Sequence, residues 1–190
     1  KNKRTAIVSV KILGIDPGSR VLGYALIETK KITSSPRDVT LLDIGTLRLD
    51  PTKPLIWRLA RLHDALHELL SEWLPHAAVV ESAFFGINAR SALALGQARG
   101  SIIAALSRRA VPVMELSPAK VKKTITGSGR ATKEHVCQCV EGLLGFKKGR
   151  LSYDATDALA IALSFALVNP TLGLEALGDS RQNILSNQLR

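Results

Sequence analysis

The segment ILGIDPGSRVLGYALI, Ile12 to Ile27, decides the fold. Residues 11–16 (KILGID) read as a strand ending in Asp16, Pro17-Gly18-Ser19 is a turn signal, and residues 23–29 (GYALIET) read as a second strand. The two form a hairpin. A third strand candidate spans Val39–Leu49, with Gly45 as a candidate bulge. Downstream the period changes. Ile56, Leu59, Leu62, Leu66, Leu69, Leu70 and Trp73 recur every three to four residues, which predicts a helix over 54–73 that Pro75 ends. AAVVE (77–81) reads as a short buried strand, 88–106 as a long Ala-rich helix with Gly96 and Gly100 four apart, and 111–116 as another strand. Ser117-Pro118 opens a helix with Ser as N-cap and Pro at its first position. That helix breaks at Gly127-Ser128-Gly129, Thr132 caps the next, and Tyr153–Val168 is the last. Antiparallel strands first and α/β alternation after predict an α/β fold: a mixed sheet with helices on both faces.

The 190 residues suit one domain with tails. With 46% apolar and 22% charged residues, wholesale disorder is excluded. No apolar run reaches the ~18 residues of a spanning helix, so no membrane partner is expected. Two cysteines exclude a disulfide scaffold and suit a reducing compartment, the cytoplasm. Residues 1–10 read as a basic arm; the apolar stretch Ala6–Val10 is too short for a secretory leader. Residues 169–190 read as a tail with at most one short helix, leaving 11–168 as the domain.

The chain carries 26 Lys and Arg against 16 Asp and Glu, a net +10. Between residues 120 and 150, Lys120, Lys122, Lys123, Arg130, Lys133, Lys147, Lys148 and Arg150 face only Glu134 and Glu141. Clustered cations neutralise phosphates and release counterions, so nucleic acid is the expected partner; the alternative is a solvated face. Aromatics are only 4% of the chain, which disfavours a base-stacking sheet and favours recognition of shape and backbone.

Against this basic background, four acids border strongly apolar segments: Asp16 and Glu81 at strand ends, Asp154 and Asp157 three apart on one face of the last helix. Singly each has an ordinary reading: a turn residue, an ion-pair partner, a helix cap. As a set they offer the oxygen ligands that hard divalent cations prefer, and two such cations can clamp a scissile phosphate. Cations to hold a polyanion and carboxylates to hold metals together describe a phosphodiester hydrolase.

At these residues the chain resembles a family. Ile12–Ile27 is similar to the first motif of the RuvC family of bacterial Holliday junction resolvases. VVESAFFGINARSALALGQARG (79–100), VKKTITGSGRATKEHV (121–136) and DATDALAIAL (154–163) resemble its further blocks, in family order over roughly residues 11–168. The resemblance implies an RNase H-like fold, a homodimer, and Mg²⁺-dependent nicking of four-way DNA junctions, with two ions per site and Mn²⁺ as a substitute. It implies Asp16, Glu81, Asp154 and Asp157 as catalytic metal ligands. It implies Phe84 as the ring that stacks at the crossover, and Lys122 and Lys133 as lysines near the scissile backbone. The implied partner is the RuvA–RuvB branch-migration complex, in the bacterial cytoplasm. From spacing alone, either Phe84 or Phe85 can be the exposed ring, with the other in the core. Lys133 beside Thr132 at a predicted helix start suits a phosphate. Lys123, Arg130 and Arg90 complete the expected DNA-binding set; at Arg90 the chain departs from an acidic family position. The Gly96/Gly100 helix can serve close helix approach or pack on its own sheet.

Other signals are weak. His135, Cys137 and Cys139 point in different directions on a helix and fall short of a zinc site. His63 and His67 lie four apart without nearby acids. Gly127-Ser128-Gly129 lacks the Gly-Lys-Ser/Thr ending of a phosphate loop. Two rival functions remain: a module that holds branched DNA without cutting it, which an intact acid set disfavours, and an actin/hexokinase-type phosphotransferase, for which the chain is too short to form two lobes.

Overall fold

The structure, a computed structural model, describes residues 9–30, 35–82, 88–146 and 151–168. Among these the elements run β1 (Ser9–Asp16), β2 (Val21–Lys30), β3 (Val39–Arg48), α1 (Leu55–Trp73), β4 (Ala77–Glu81), α2 (Ala89–Arg108), β5 (Val113–Leu116), α3 (Pro118–Thr126), α4 (Lys133–Leu144) and α5 (Tyr153–Val168), with a 3-10 turn at Pro36–Asp38. The sheet order is β3-β2-β1-β4-β5. The first three strands pair antiparallel, while β4 runs parallel to β1 and β5 parallel to β4. This is the expected mixed sheet.

Side chains alternate across the sheet. Val10 and Ile12 of β1 and Val79 of β4 pack with α3, α4 and α5. Leu13 and Ile15 of β1 and Ala78 and Val80 of β4 pack with α1 and α2. Helices therefore cover both faces. The caps follow local chemistry: Ser117 accepts from the Lys120 N–H and Thr132 from the His135 N–H, while Gly127 and Gly145 end α3 and α4 at φ 80° and 72°.

Helix α5 is buried throughout residues 155–166 apart from a half-buried Asp157, as an Ala-rich helix without a polar face must be. It lies directly on β1 and β2 because Gly14 and Gly23 have no side chain. A Cβ at Gly14 would stand 2.2 Å from the Ala158 carbonyl oxygen, and one at Gly23 2.0 Å from that of Asp154. Backbone cannot yield as a flexible side-chain tip can. Gly23→Ala is therefore expected to destabilise the protein by ~3 kcal/mol, the upper end of overpacking costs, in urea unfolding. An unchanged midpoint would show that this contact does not set the position of α5.

Three local expectations are corrected. The β2–β3 register shifts between Leu26 and Ile27, which pair with Asp43 and Leu41, so the extra residue is Leu42 and not Gly45. Gly45 pairs with Tyr24 and makes room for its ring; a Cβ there would come within 2.8 Å of the phenol oxygen. Strand β5 starts at Val113, not Val111, because the Val111 N–H is taken by the Leu106 carbonyl at the end of α2. Pairing of β1 begins at Ser9, opposite Lys30, inside the segment read as an arm.

Candidate active site

Asp16 is the last residue of β1 and shares the face of Ile12 and Gly14, towards α5. In the parallel β1–β4 ladder Ile15 stands opposite Val80, so Glu81 falls beside Asp16, on the face of Val79. The first turn of α5 rests on Gly23, the partner of Asp16 across the β1–β2 ladder. That contact delivers Asp154, with Asp157 one turn further along. The four acids thus meet at the carboxyl ends of two adjacent parallel strands, where such sheets leave a crevice.

Their electrostatics show the convergence. Burial pushes the Asp16 carboxyl up to about 7, helped by the negative fields of Glu81, Asp157 and Asp154 and opposed by Lys133. Burial and then Asp157 push Glu81 up, against Lys133 and Lys122. The Lys133 ammonium donates to Asp157 Oδ2 at 3.0 Å. That bond, with the fields of Asp157, Asp16 and Asp154, raises its own pKa against the opposing effect of burial. Lys133 opens α4 and Lys122 lies on α3, so two helices each bring a cation to the acids.

The other expected DNA-binding residues lie outside this cluster. Lys123 and Arg130 are both exposed. Arg90 is exposed at the start of α2, where its backbone N–H donates to the Asn88 cap. Phe84 and Phe85, together with Lys147, Lys148, Arg150, residues 1–8 and residues 169–190, lie outside the described residues. Lys11, in β1, serves the fold. Its N–H donates to His76 Nδ1 at 3.1 Å, and its ammonium sits 5.6 Å from the Trp73 ring centroid. His67 Nε2 lies 3.0 Å from an Arg109 guanidinium nitrogen, and Cys137 Sγ 3.8 Å from Thr156 Oγ1.

Two positioning devices are absent from the sequence-based expectations. Gly14 and Gly23 are legible in principle, since an isolated glycine inside a strand marks close backbone approach. Arg58 of α1 donates to the Ser19 carbonyl and so ties α1 to the turn after Asp16. No local pattern signals a bond between residues 39 apart in the chain.

Among the described residues, no three of His, Cys, Asp and Glu close into a ready-made metal cage. The donor set still fits a hard divalent cation: carboxylate oxygens, mutually repelling, with Lys133 and Lys122 as partial compensation.

Comparison with known proteins agrees with this geometry. The family described as "Crossover junction endodeoxyribonuclease RuvC" matches residues 12–165. A curated relative of that name from Halorhodospira halophila is 43% identical over 156 residues, 82% of this chain and 89% of its own length. The solved structure of Thermus thermophilus RuvC in complex with Holliday junction substrate superposes with a TM-score of 0.77 at 33% identity, covering 87% of this chain and 97% of that one. The yeast mitochondrial Holliday junction resolvase Ydc2 superposes with a TM-score of 0.58 at 15% identity, over 92% of this chain and 85% of its own, a likeness of fold alone. The sheet and its two helical layers are thus RNase H-like. A family match over nearly all of β1 to α5, with Asp16, Glu81, Asp154 and Asp157 inside it, makes the chain a member of the RuvC family.

Proposed function

We propose that the protein is a structure-selective endonuclease that resolves four-way (Holliday) DNA junctions by paired symmetric nicks, in recombination and repair. The observation that carries this reading is the convergence of Asp16, Glu81, Asp154 and Asp157 at one sheet end of a +10 member of the RuvC family. These four acids are the proposed ligands of two Mg²⁺ ions, with Mn²⁺ as a substitute. Bound there, the ions would supply activation of the attacking water and stabilisation of the leaving oxygen.

The chain's own residues do the rest. Asp16 and Glu81 stand on rigid strands, which keeps their oxygens at a constant offset along the register. Lys133, free to exchange Asp157 for a phosphate oxygen, and Lys122 near Glu81 neutralise the backbone that the acids would otherwise repel. In-line attack by water leaves 5′-phosphate and 3′-hydroxyl ends that a ligase can seal. The test is a mobile synthetic four-way junction, with and without Mg²⁺, beside a linear duplex of the same sequence. Symmetric, ligatable nicks in the junction alone are expected; equal nicking of the duplex, or none with Mg²⁺, would overturn the reading.

A four-way junction has approximate two-fold symmetry, so a homodimer can present one site to each of two like strands. The outer face of α2 supports this: Leu93 is 65% exposed, and a Cβ at Gly96 or Gly100 would meet nothing within 4 Å. Sedimentation should give the mass of two chains, and Leu93→Glu that of one; a single-chain wild type would remove the dimer. RuvA and RuvB are the proposed partners on the junction, and co-sedimentation of all three with junction DNA tests this. Among the described residues no helix is long and apolar enough to cross a membrane. The bacterial cytoplasm, where the DNA is, is the proposed location; recovery of the protein with the cell envelope would refute it.

A further inference from the structure

The end of the sheet that carries the acids carries a second feature that the proposed chemistry does not use. Strand β3 ends at Arg48, opposite Val21, two residues before Gly23. From there the chain turns into α1, and a cleft of about 230 Å³ opens, lined by Arg48, Asp50, Lys53, Trp57, Arg58 and Arg61. Four cations face one acid. Asp50 is occupied by its own loop, accepting from the Thr52 N–H at 2.9 Å and the Thr52 hydroxyl at 2.6 Å. Among the described residues Arg48 and Arg61 make no salt bridge.

Arg58 is anchored by its bond to the Ser19 carbonyl, yet its buried Nε–H has no acceptor. A buried donor without a partner costs about 1–3 kcal/mol, a cost that the fold bears to hold this guanidinium at the cleft. Trp57 stands among these cations with 59% of its surface exposed. Folding gains little from a large aromatic left in water, whereas a sugar or base edge would cover it. The first turn of α1 also carries no acid and no side-chain cap, so its positive end is uncompensated.

We propose that this cleft is a second phosphodiester-binding site, which holds the backbone of the duplex arm leaving the cut, with Trp57 packed on that arm. Neighbouring strands lie ~4.8 Å apart, so β3 is about 10 Å from β1. The bond from Arg58 to the Ser19 carbonyl sets the cleft beside the turn that follows Asp16, so one duplex arm can reach both sites. The proposal rests on the reading of the protein as a junction endonuclease, but its readout is binding rather than cutting.

The test measures affinity of the full chain for a fluorescent four-way junction in EDTA, from about 50 to about 200 mM salt. Arg48→Ala/Arg61→Ala, both at exposed positions, should weaken binding about tenfold or more at the low end. It should also reduce the slope of log K against log salt by about 1.8, or 0.9 for each phosphate no longer neutralised. Trp57→Ala should weaken binding with the slope unchanged, because it removes no charge. Arg108→Ala, at the end of α2 and the opposite end of the sheet, is the control and should keep the wild-type slope. A double variant with the wild-type slope, or an equal loss in Arg108→Ala, overturns the second site. If the wild type binds and nicks junctions while the double variant keeps its slope, only the second site falls. If the wild type shows no affinity for the junction, the endonuclease reading falls with it.

Discussion

Asp16→Asn is expected to reduce junction nicking by ~10³-fold or more while leaving junction binding within about twofold of the wild type. The substitution keeps the shape of the side chain and removes one negative charge and one hard oxygen donor. Asp16 is the acid to which the others are geometrically referred: Glu81 lies beside it across the parallel ladder, and Asp154 rests on its antiparallel partner Gly23. Losing it removes an oxygen common to the whole cluster, and a factor of 10³ corresponds to ~4 kcal/mol of transition-state stabilisation. Binding should survive, because phosphates are attracted by the lysines and repelled by the acids. Single-turnover cleavage and a gel-shift titration on the same junction separate the two quantities. Full nicking activity in the variant would remove Asp16 from the reacting centre.

In metal-free buffer the same substitution should stabilise the fold at pH 8 and lose that effect towards pH 4. The folded Asp16 carboxyl sits at about 7, against an ordinary value of 3.8, first because it is buried and next because Glu81 and Asp157 repel a further charge. Between those two values the folded state holds more protons than the unfolded one. Wild-type stability therefore falls as pH rises from about 4 to about 7, and the loss is complete above 7. A rise of this size corresponds to ~4 kcal/mol at most, or on the order of 10 °C in Tm for a chain of this length. Asn cannot ionise, so Asp16→Asn removes the penalty. Thermal melts of both proteins at pH 8 and pH 4 test this directly: a lower Tm for the variant at pH 8 contradicts a repelling cluster. Divalent cation should raise the wild-type Tm more than that of the variant, since a ligand stabilises only the state that binds it.

Much of the molecule is legible without the structure. The hairpin around Pro17-Gly18-Ser19, the 3–4 spacing of α1, and the Ser117 and Thr132 caps all appear where local chemistry requires them. These features depend on a few neighbouring residues. The misplacements share the opposite character. The bulge at Leu42 depends on how β3 registers against β2, and the late start of β5 on a hydrogen bond back to α2. Nor does any local pattern place the Lys11 ammonium over Trp73, a partner brought close only by the fold.

The sequence by itself determined the kinds of elements, their order and the chemical identity of the four acids, because periodicity, capping and side-chain chemistry are local. Only the tertiary structure decided that the acids share one face. A one-residue slip of β4 against β1 would turn Glu81 to the opposite side of the sheet. Gly14 and Gly23 let α5 come close enough to add Asp154 and Asp157. The raised pKa of Asp16, the Lys133–Asp157 pair and the cleft at Arg48, Trp57 and Arg61 likewise exist only after packing, because burial and the distance between charges are set by residues far apart in the chain.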